Sequence, residues 1–160
     1  MPLIDLTYPA GTFTPDERTA LVDELTTVLL RAERAPDTDF FRSIAWVHVH
    51  ELPEGTVLAA GRPVTEPTFR VQVTIPQGAL SERRKGELVA EATRVVLDAA
   101  GLREADAFRV WVLIGEVPDG NWGAGGRIVR FADLVGFAER ERQQAGSAAP
   151  GAEAAAATSS

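Results

Sequence analysis

Arg70-Val71-Gln72-Val73-Thr74-Ile75, followed by Pro76-Gln77-Gly78, decides how the chain is to be read. Val71, Val73 and Ile75 fall on one side of an extended segment and Arg70, Gln72 and Thr74 on the other, the period of a strand with one buried face, and proline and glycine then break it. The same script runs once before. Thr74, Pro76 and Gly78 repeat Thr7, Pro9 and Gly11 (78 − 11 = 67), and at that spacing Leu88, Val89, Glu91 and Val95 repeat Leu21, Val22, Glu24 and Val28. Further on the spacing shortens by two. Trp111, Glu116, Pro118, Gly120, Gly126 and Arg127 repeat Trp46, Glu51, Pro53, Gly55, Gly61 and Arg62 (127 − 62 = 65). The chain is a duplicated unit of about 65 residues. The copies differ at one place where chemistry can live: the first begins Met1-Pro2, and the counterpart of Pro2 is the internal Phe69.

Each unit reads as strand, helix, strand. Leu3 to Tyr8 and Arg70 to Ile75 are the first strands. Thr14-Pro15-Asp16-Glu17 supplies a capping hydroxyl, a proline suited to the first helical turn and a glutamate three residues after the cap, and Ser81 opens the second helix. Leu21, Val22, Leu25, Val28 and Leu29, and in the other copy Leu88, Val89, Ala92, Val95 and Val96, recur at helical spacing and predict one buried stripe per helix. The second strands are predicted over Ile44 to His50 and Phe108 to Ile114. Crossover connections make the two strands of a unit parallel, so two units side by side give an α/β (α+β) domain with a four-stranded sheet and both helices on one face. Trp46, His48 and His50 then share the other face, which self-association into a closed ring would cover.

Bulk properties narrow the function. With 160 residues and 45% hydrophobic content the chain suits one domain with a real core. A formal charge of −7 with no basic stripe argues against nucleic acid. No cysteine is present, so disulfides and thiolate metal sites are excluded. No leader-like start and no spanning apolar run is seen, which predicts a cytoplasmic protein away from membranes. A single domain is expected over 1–144, with repeats at 2–64 and 69–129 and an extension at 130–144. Ala145 to Ser160, rich in Ala, Gly and Ser, is expected to be a disordered tail.

A Met-Pro start, two fused strand-helix-strand units and glycine-rich turns after each second strand resemble the tautomerase superfamily. Gly115-Glu116-Val117-Pro118-Asp119-Gly120-Asn121-Trp122-Gly123 is similar to the C-terminal segment of 4-oxalocrotonate tautomerase, and Glu51 to Gly61 is similar to fused members typified by cis-3-chloroacrylic acid dehalogenase. The resemblance covers about residues 1–135. It implies a tautomerase/MIF-like fold, removal of Met1, chemistry at the Pro2 amine, no cofactor and a homotrimer. The chain departs from those relatives where the dehalogenase has an activating histidine (here Leu29), an arginine pair (here within Gln77 to Leu80) and a tyrosine (here Leu113). Trp46 or Trp111 stands where 4-oxalocrotonate tautomerase has a substrate arginine. Pro2 and the aromatic Trp122 match by position.

A free terminal amine titrates near 7.7 to 8.0 in the absence of perturbation, and an apolar pocket disfavours its cation, which suits proton abstraction beside a carbonyl. Pro2 is therefore the predicted catalytic residue. Arg42, Arg70 and Arg109, at or beside strand ends, can grip a carboxylate in a fork, although ordinary ion pairs explain such arginines as well. Trp122 is a pocket wall or a turn residue. His48 and His50 lack a third ligand of suitable spacing, and no metal is expected. Glu51 and Glu116, present in both turns, read as structural. The function expected is cofactor-free keto-enol isomerisation of a small 2-oxo acid or aryl enol. The alternatives are a hydratase, dehalogenase or decarboxylase of a three-carbon acid, and a catalytically silent trimeric binding scaffold.

Overall fold

The computed structural model describes residues 2–147, with side chains as far as 143. Strand β1 (Leu3–Pro9) leads into α1 (Pro15–Glu33), a short helix α2 (Asp39–Ile44) and β2 (Trp46–Leu52), followed by a two-residue-arm hairpin, β3 (Leu58–Ala59) and β4 (Arg62–Pro63). The second unit repeats the plan as β5 (Phe69–Pro76), α3 (Glu82–Ala99), a 3-10 turn (Glu104–Arg109), β6 (Val110–Val117) and the hairpin β7 (Gly123–Ala124) with β8 (Arg127–Ile128). Helix α4 (Phe131–Ser147) closes the described chain. It occupies the predicted extension and the first residues of the predicted tail, the rest of which lies outside the described residues. No described helix is long and apolar enough to cross a membrane.

The helix starts follow from the sequence signals. Thr14 Oγ1 accepts from the Glu17 N–H and the Glu17 carboxylate accepts from the Thr14 N–H, a closed capping box that satisfies orphan donors of the first turn. Ser81 caps α3 through the Arg84 N–H. The sheet order is β2-β1-β5-β6. β1 and β2 are parallel, as are β5 and β6, while β1 and β5 run antiparallel at the centre with Leu3 opposite Thr74 and Thr7 opposite Arg70. Two βαβ units thus meet through their first strands.

Alternation puts Ile4, Leu6 and Tyr8 of β1 and Val71, Val73 and Ile75 of β5 on the helix side, all buried against Leu21, Leu25, Val28 and Leu29 of α1 and Leu88, Ala92, Val95 and Val96 of α3. Both predicted stripes form, except that Val89 is 37% exposed, at the margin of the α3 face. The predicted second strands start too early. Ile44 ends α2 and Arg109 ends the 3-10 turn, so the strands begin at Trp46 and Val110. The change from a spacing of 67 to 65 falls in these connections, where a six-residue helix in one copy faces a six-residue 3-10 turn in the other. A second small core, Leu30, Phe41 and Ala138, fastens α4 and α2 to the end of α1.

Candidate functional site

Pro2 is buried at the entry to β1. The period of two that turns Ile4, Leu6 and Tyr8 toward the helices places Pro2 on the same side. The antiparallel register that sets Leu3 against Thr74 carries Pro2 toward the end of β5, where Pro76 stands, and the parallel register that sets Leu3 against Trp46 puts it beside the α2–β2 junction. Of the predicted apolar surroundings, Ile4 is in the core below, and Trp122 sits two strands away, half-buried beyond the end of β6.

A pocket of about 100 Å³ opens at this end of the molecule, between the last residue of α1, the turn after β5 and the underside of α4. Its lining includes Phe41, Pro76, Ala79, Phe131, Leu134 and Val135, with Arg34 and Arg142. Its one carboxylate is Glu33. Burial pushes the Glu33 carboxyl up to about 6, against the opposing pull of the N-terminal positive charge and of Arg84. The end of α1 is tied down by arginines from elsewhere in the fold: Arg84 donates to the Ala32 carbonyl at 3.0 Å and Arg142 of α4 to the Arg34 carbonyl at 2.8 Å, with Arg34 in the left-handed conformation (φ 56°). Sequence reasoning missed Glu33. A glutamate at the end of a helix carries no mark in the sequence, and the helix that lines the same pocket begins almost a hundred residues later.

The predicted arginines are dispersed. Arg42 lies on α2 with its fork filled: Nε reaches Asp37 at 2.6 Å, a terminal nitrogen reaches Asp23 at 2.8 Å, and the other donates to Asp37 and to Thr27 Oγ1 at 3.0 Å. These contacts clasp α2 to α1, and the Arg42 fork in turn holds the Asp37 carboxyl below the usual range. Arg70 points from the open face of β5 toward Thr7 Oγ1 at 3.5 Å. That is four register steps from Leu3, about 13 Å along the strand. Arg109 pairs with Glu66 at 2.9 Å and Asp106 at 3.3 Å, at the same far end.

Glu51 and Glu116 do one job twice. Glu51 accepts from Tyr8 Oη at 3.1 Å and pairs with Arg18 at 3.0 Å, while Glu116 accepts from the Gly78 N–H at 3.3 Å and lies 3.4 Å from Lys85. Arg18 and Lys85 are themselves related by the repeat (85 − 18 = 67). Each glutamate ties a second strand to the helix that follows the first, Glu51 also to the end of β1 and Glu116 to the turn after β5.

The face of the sheet away from the helices is open. Trp46 and Trp111, on the two edge strands, are 64% and 65% exposed. Between them Asp5 holds His50 at 2.7 Å and lies 3.7 Å from His48. Among the described residues no group of three or more histidine, aspartate or glutamate side chains is placed to hold a metal ion.

A family model described as tautomerase enzyme matches residues 70–132, most of the second unit. Among solved structures, N1, a member of the cis-3-chloroacrylic acid dehalogenase family, superposes with a TM-score of 0.70 at 25% identity over 91% of this chain and 99% of its own. Pt0534 inactivated by 2-oxo-3-pentynoate gives 0.68 at 22%, covering 81% and 97%. A fused 4-OT solved as an asymmetric trimer gives 0.63 at 20%, covering 79% and 94%. No curated protein matches the chain by sequence. The family model falls on the second unit, of which the first is an internal repeat, and these solved structures cover both units, so the chain carries a tautomerase-family match in its second half and shares the fold of fused tautomerase-type chains.

Proposed function

We propose that the protein is a cofactor-free tautomerase that moves a proton between carbon and oxygen of a small 2-oxo acid, with the Pro2 amine, exposed by removal of Met1, as the proton carrier. The observation that supports this best is the burial of Pro2 at the head of a central strand, at the end of the molecule where a pocket with a mostly apolar wall opens nearby. A ring-held secondary amine is fixed in direction. A site closed to bulk water keeps its basicity close to neutrality, where it can both take and return a proton.

The pocket is small, about 100 Å³, and a short-chain 2-oxo acid is the substrate proposed for it. Such an acid is the small-molecule partner. Arg34 and Arg142 at the pocket are better placed for its carboxylate than Arg42 or Arg109, whose forks are already engaged.

The test is ketonisation of enol-pyruvate or enol-2-oxobutyrate, followed by loss of enol absorbance, with mass spectrometry to establish that the chain begins at Pro2. Pro2→Ala is expected to lower kcat/KM by about 10²-fold or more. The alkynyl 2-oxo acid that inactivates Pt0534 is expected to add to the Pro2 amine through its electron-poor triple bond. Enol turnover unchanged in Pro2→Ala, or a mature chain that retains Met1, would overturn the reading and leave the silent scaffold. Hydration of a three-carbon unsaturated acid is the second reading, supported by the likeness to N1 and weakened by Leu29 and Leu113, which offer no water-activating group. Halide release from 3-haloacrylates distinguishes it.

A further inference from the structure

We propose that the open face of the sheet is an interface with a second copy of this chain, in which the β5–β6 half of one copy covers the β1–β2 half of the other and Arg70 of one copy meets Asp5 of the other. Pro2 lies on the helix side of β1, so this contact holds whether or not Pro2 is catalytic.

The register lays this face out in rows that cross all four strands. One row runs His50, Thr7, Arg70, Trp111, and the next runs His48, Asp5, Gln72, Leu113. Trp46 stands beside Leu3 in the row after that. The repeat relates Trp46 to Trp111 (111 − 46 = 65), so the two exposed indoles occupy opposite corners of the face. It also relates Asp5 to Gln72 (72 − 5 = 67) and Leu3 to Arg70 (70 − 3 = 67). The two halves therefore share a shape and an aromatic corner but not a charge. On this face the β1–β2 half carries a carboxylate beside two imidazoles, and the β5–β6 half carries a guanidinium and no acid. Within one chain these charges do not meet. Asp5 turns toward β2, 2.7 Å from His50 and 3.7 Å from His48, while Arg70 is exposed and its hydrogen bond among the described residues is a long one, 3.5 Å to Thr7 Oγ1.

Two copies that met through like halves would bring Asp5 to Asp5 or Arg70 to Arg70, and would take each out of water without a counter-charge. Unlike halves give each charge a partner, which fixes the orientation of the contact, and the tryptophan-bearing corners supply the apolar area that drives it. The face is thus its own complement, so a second copy fits it without any other partner. A chain with a formal charge of −7 needs such a cation at a contact between copies, since acidic surfaces alone drive them apart. The pairing of unlike halves is possible both for two copies that close on each other and for a ring.

The chain has no cysteine, so single thiols can be placed on the face without background. Full chains carrying Asp5→Cys or Arg70→Cys are prepared separately, and a short bis-maleimide is added to each alone and to an equimolar mixture left to exchange subunits, at tens of micromolar. The mixture is expected to give about five-fold more cross-linked dimer than either chain alone. Light scattering of the unchanged chain is expected to give a multiple of the monomer mass. Charge reversal reads the same contact without a cross-linker: Asp5→Arg and Arg70→Asp are each expected to lower that mass toward the monomer, and the double variant to restore it. Circular dichroism establishes that each variant is folded. Cross-linking as strong in either chain alone as in the mixture would show like halves meeting and overturn the proposal. An unchanged chain that is monomeric at this concentration overturns it as well and leaves the face to a different protein. Folded charge-reversal variants that keep the full mass, or a folded double variant that stays monomeric, overturn the contact between Arg70 and Asp5.

Discussion

At the scale of single residues, Glu33 couples the site to stability. Its carboxyl is raised in the folded protein from 4.5 to about 6 by burial, so the fold prefers the protonated form. Its contribution is fully present below about 4.5 and is lost as pH rises through 6, after which an ionised carboxylate is held at a cost of up to about 2 kcal/mol. Glu33→Gln keeps the shape and removes the charge. It is expected to match wild type at pH 4 and to be more stable by about 1 to 2 kcal/mol at pH 8, measured as the difference in urea midpoint at unchanged m-value. Equal midpoints at pH 8 would mean the carboxyl is hydrated. Pro2 could be proposed from the sequence because its position after Met1 is all that the proposal needs. Glu33 could not, because α4 and Arg84 make its environment. The arginines show the same limit: a guanidinium near a strand end looks the same in sequence whether its fork is empty or, as in Arg42, filled by Asp37 and Asp23.

At the scale of elements, the duplication permits a comparison within one chain. The hairpin β3–β4 turns through Ala60 and Gly61, with φ of 50° and 77°; its copy, β7–β8, turns through Gly125 and Gly126, with φ of 58° and 75°. Both turns need the left-handed region at both central positions, as two-residue hairpins of this twist do. Alanine there costs about 1 kcal/mol relative to an unstrained position, and glycine adds chain entropy to the unfolded state, which offsets part of the gain. Ala60→Gly is therefore expected to stabilise by about 0.5 kcal/mol, a rise in Tm of about 1 to 2 °C by calorimetry. A fall would show that the turn relaxes around Ala60. Helix and strand cores were legible because capping box, stripe and alternation agree with one another in each copy. Helix α2 and the 3-10 turn were not, since six residues are fewer than two turns and give no periodicity. The 130–144 segment carries Phe131, Leu134, Val135 and Ala138 at helical spacing, a signal present in the sequence and overshadowed by the low-complexity residues that follow it.

At the scale of the whole molecule, one side of the sheet is finished and the other is not. Trp46, Trp111 and Leu113 expose large apolar surface on a face that also carries Asp5 on central β1 and His48 and His50 on edge strand β2, and a sheet two strands deep on either side of its pseudo-symmetry axis presents two tryptophans in equivalent positions. Apolar area of this kind on a protein with a formal charge of −7 is the signature of a surface that another protein surface covers. Large aromatics at the centre of an interface carry a disproportionate share of its energy, and an unpaired carboxylate there is costly to desolvate. Trp111→Glu is thus expected to give a monomer at micromolar concentration by light scattering, and the unchanged chain a multiple of that mass. The substitution touches neither the α1–α3 core nor the pocket under α4, so the monomer is expected to keep its helical circular dichroism. Its activity then separates two designs. Turnover retained by the monomer means that Pro2 and its surroundings make the site within one chain; turnover lost with the fold intact means that a neighbouring copy completes it. An unchanged mass would put the subunit contact elsewhere and leave the two tryptophans to be explained as a docking face.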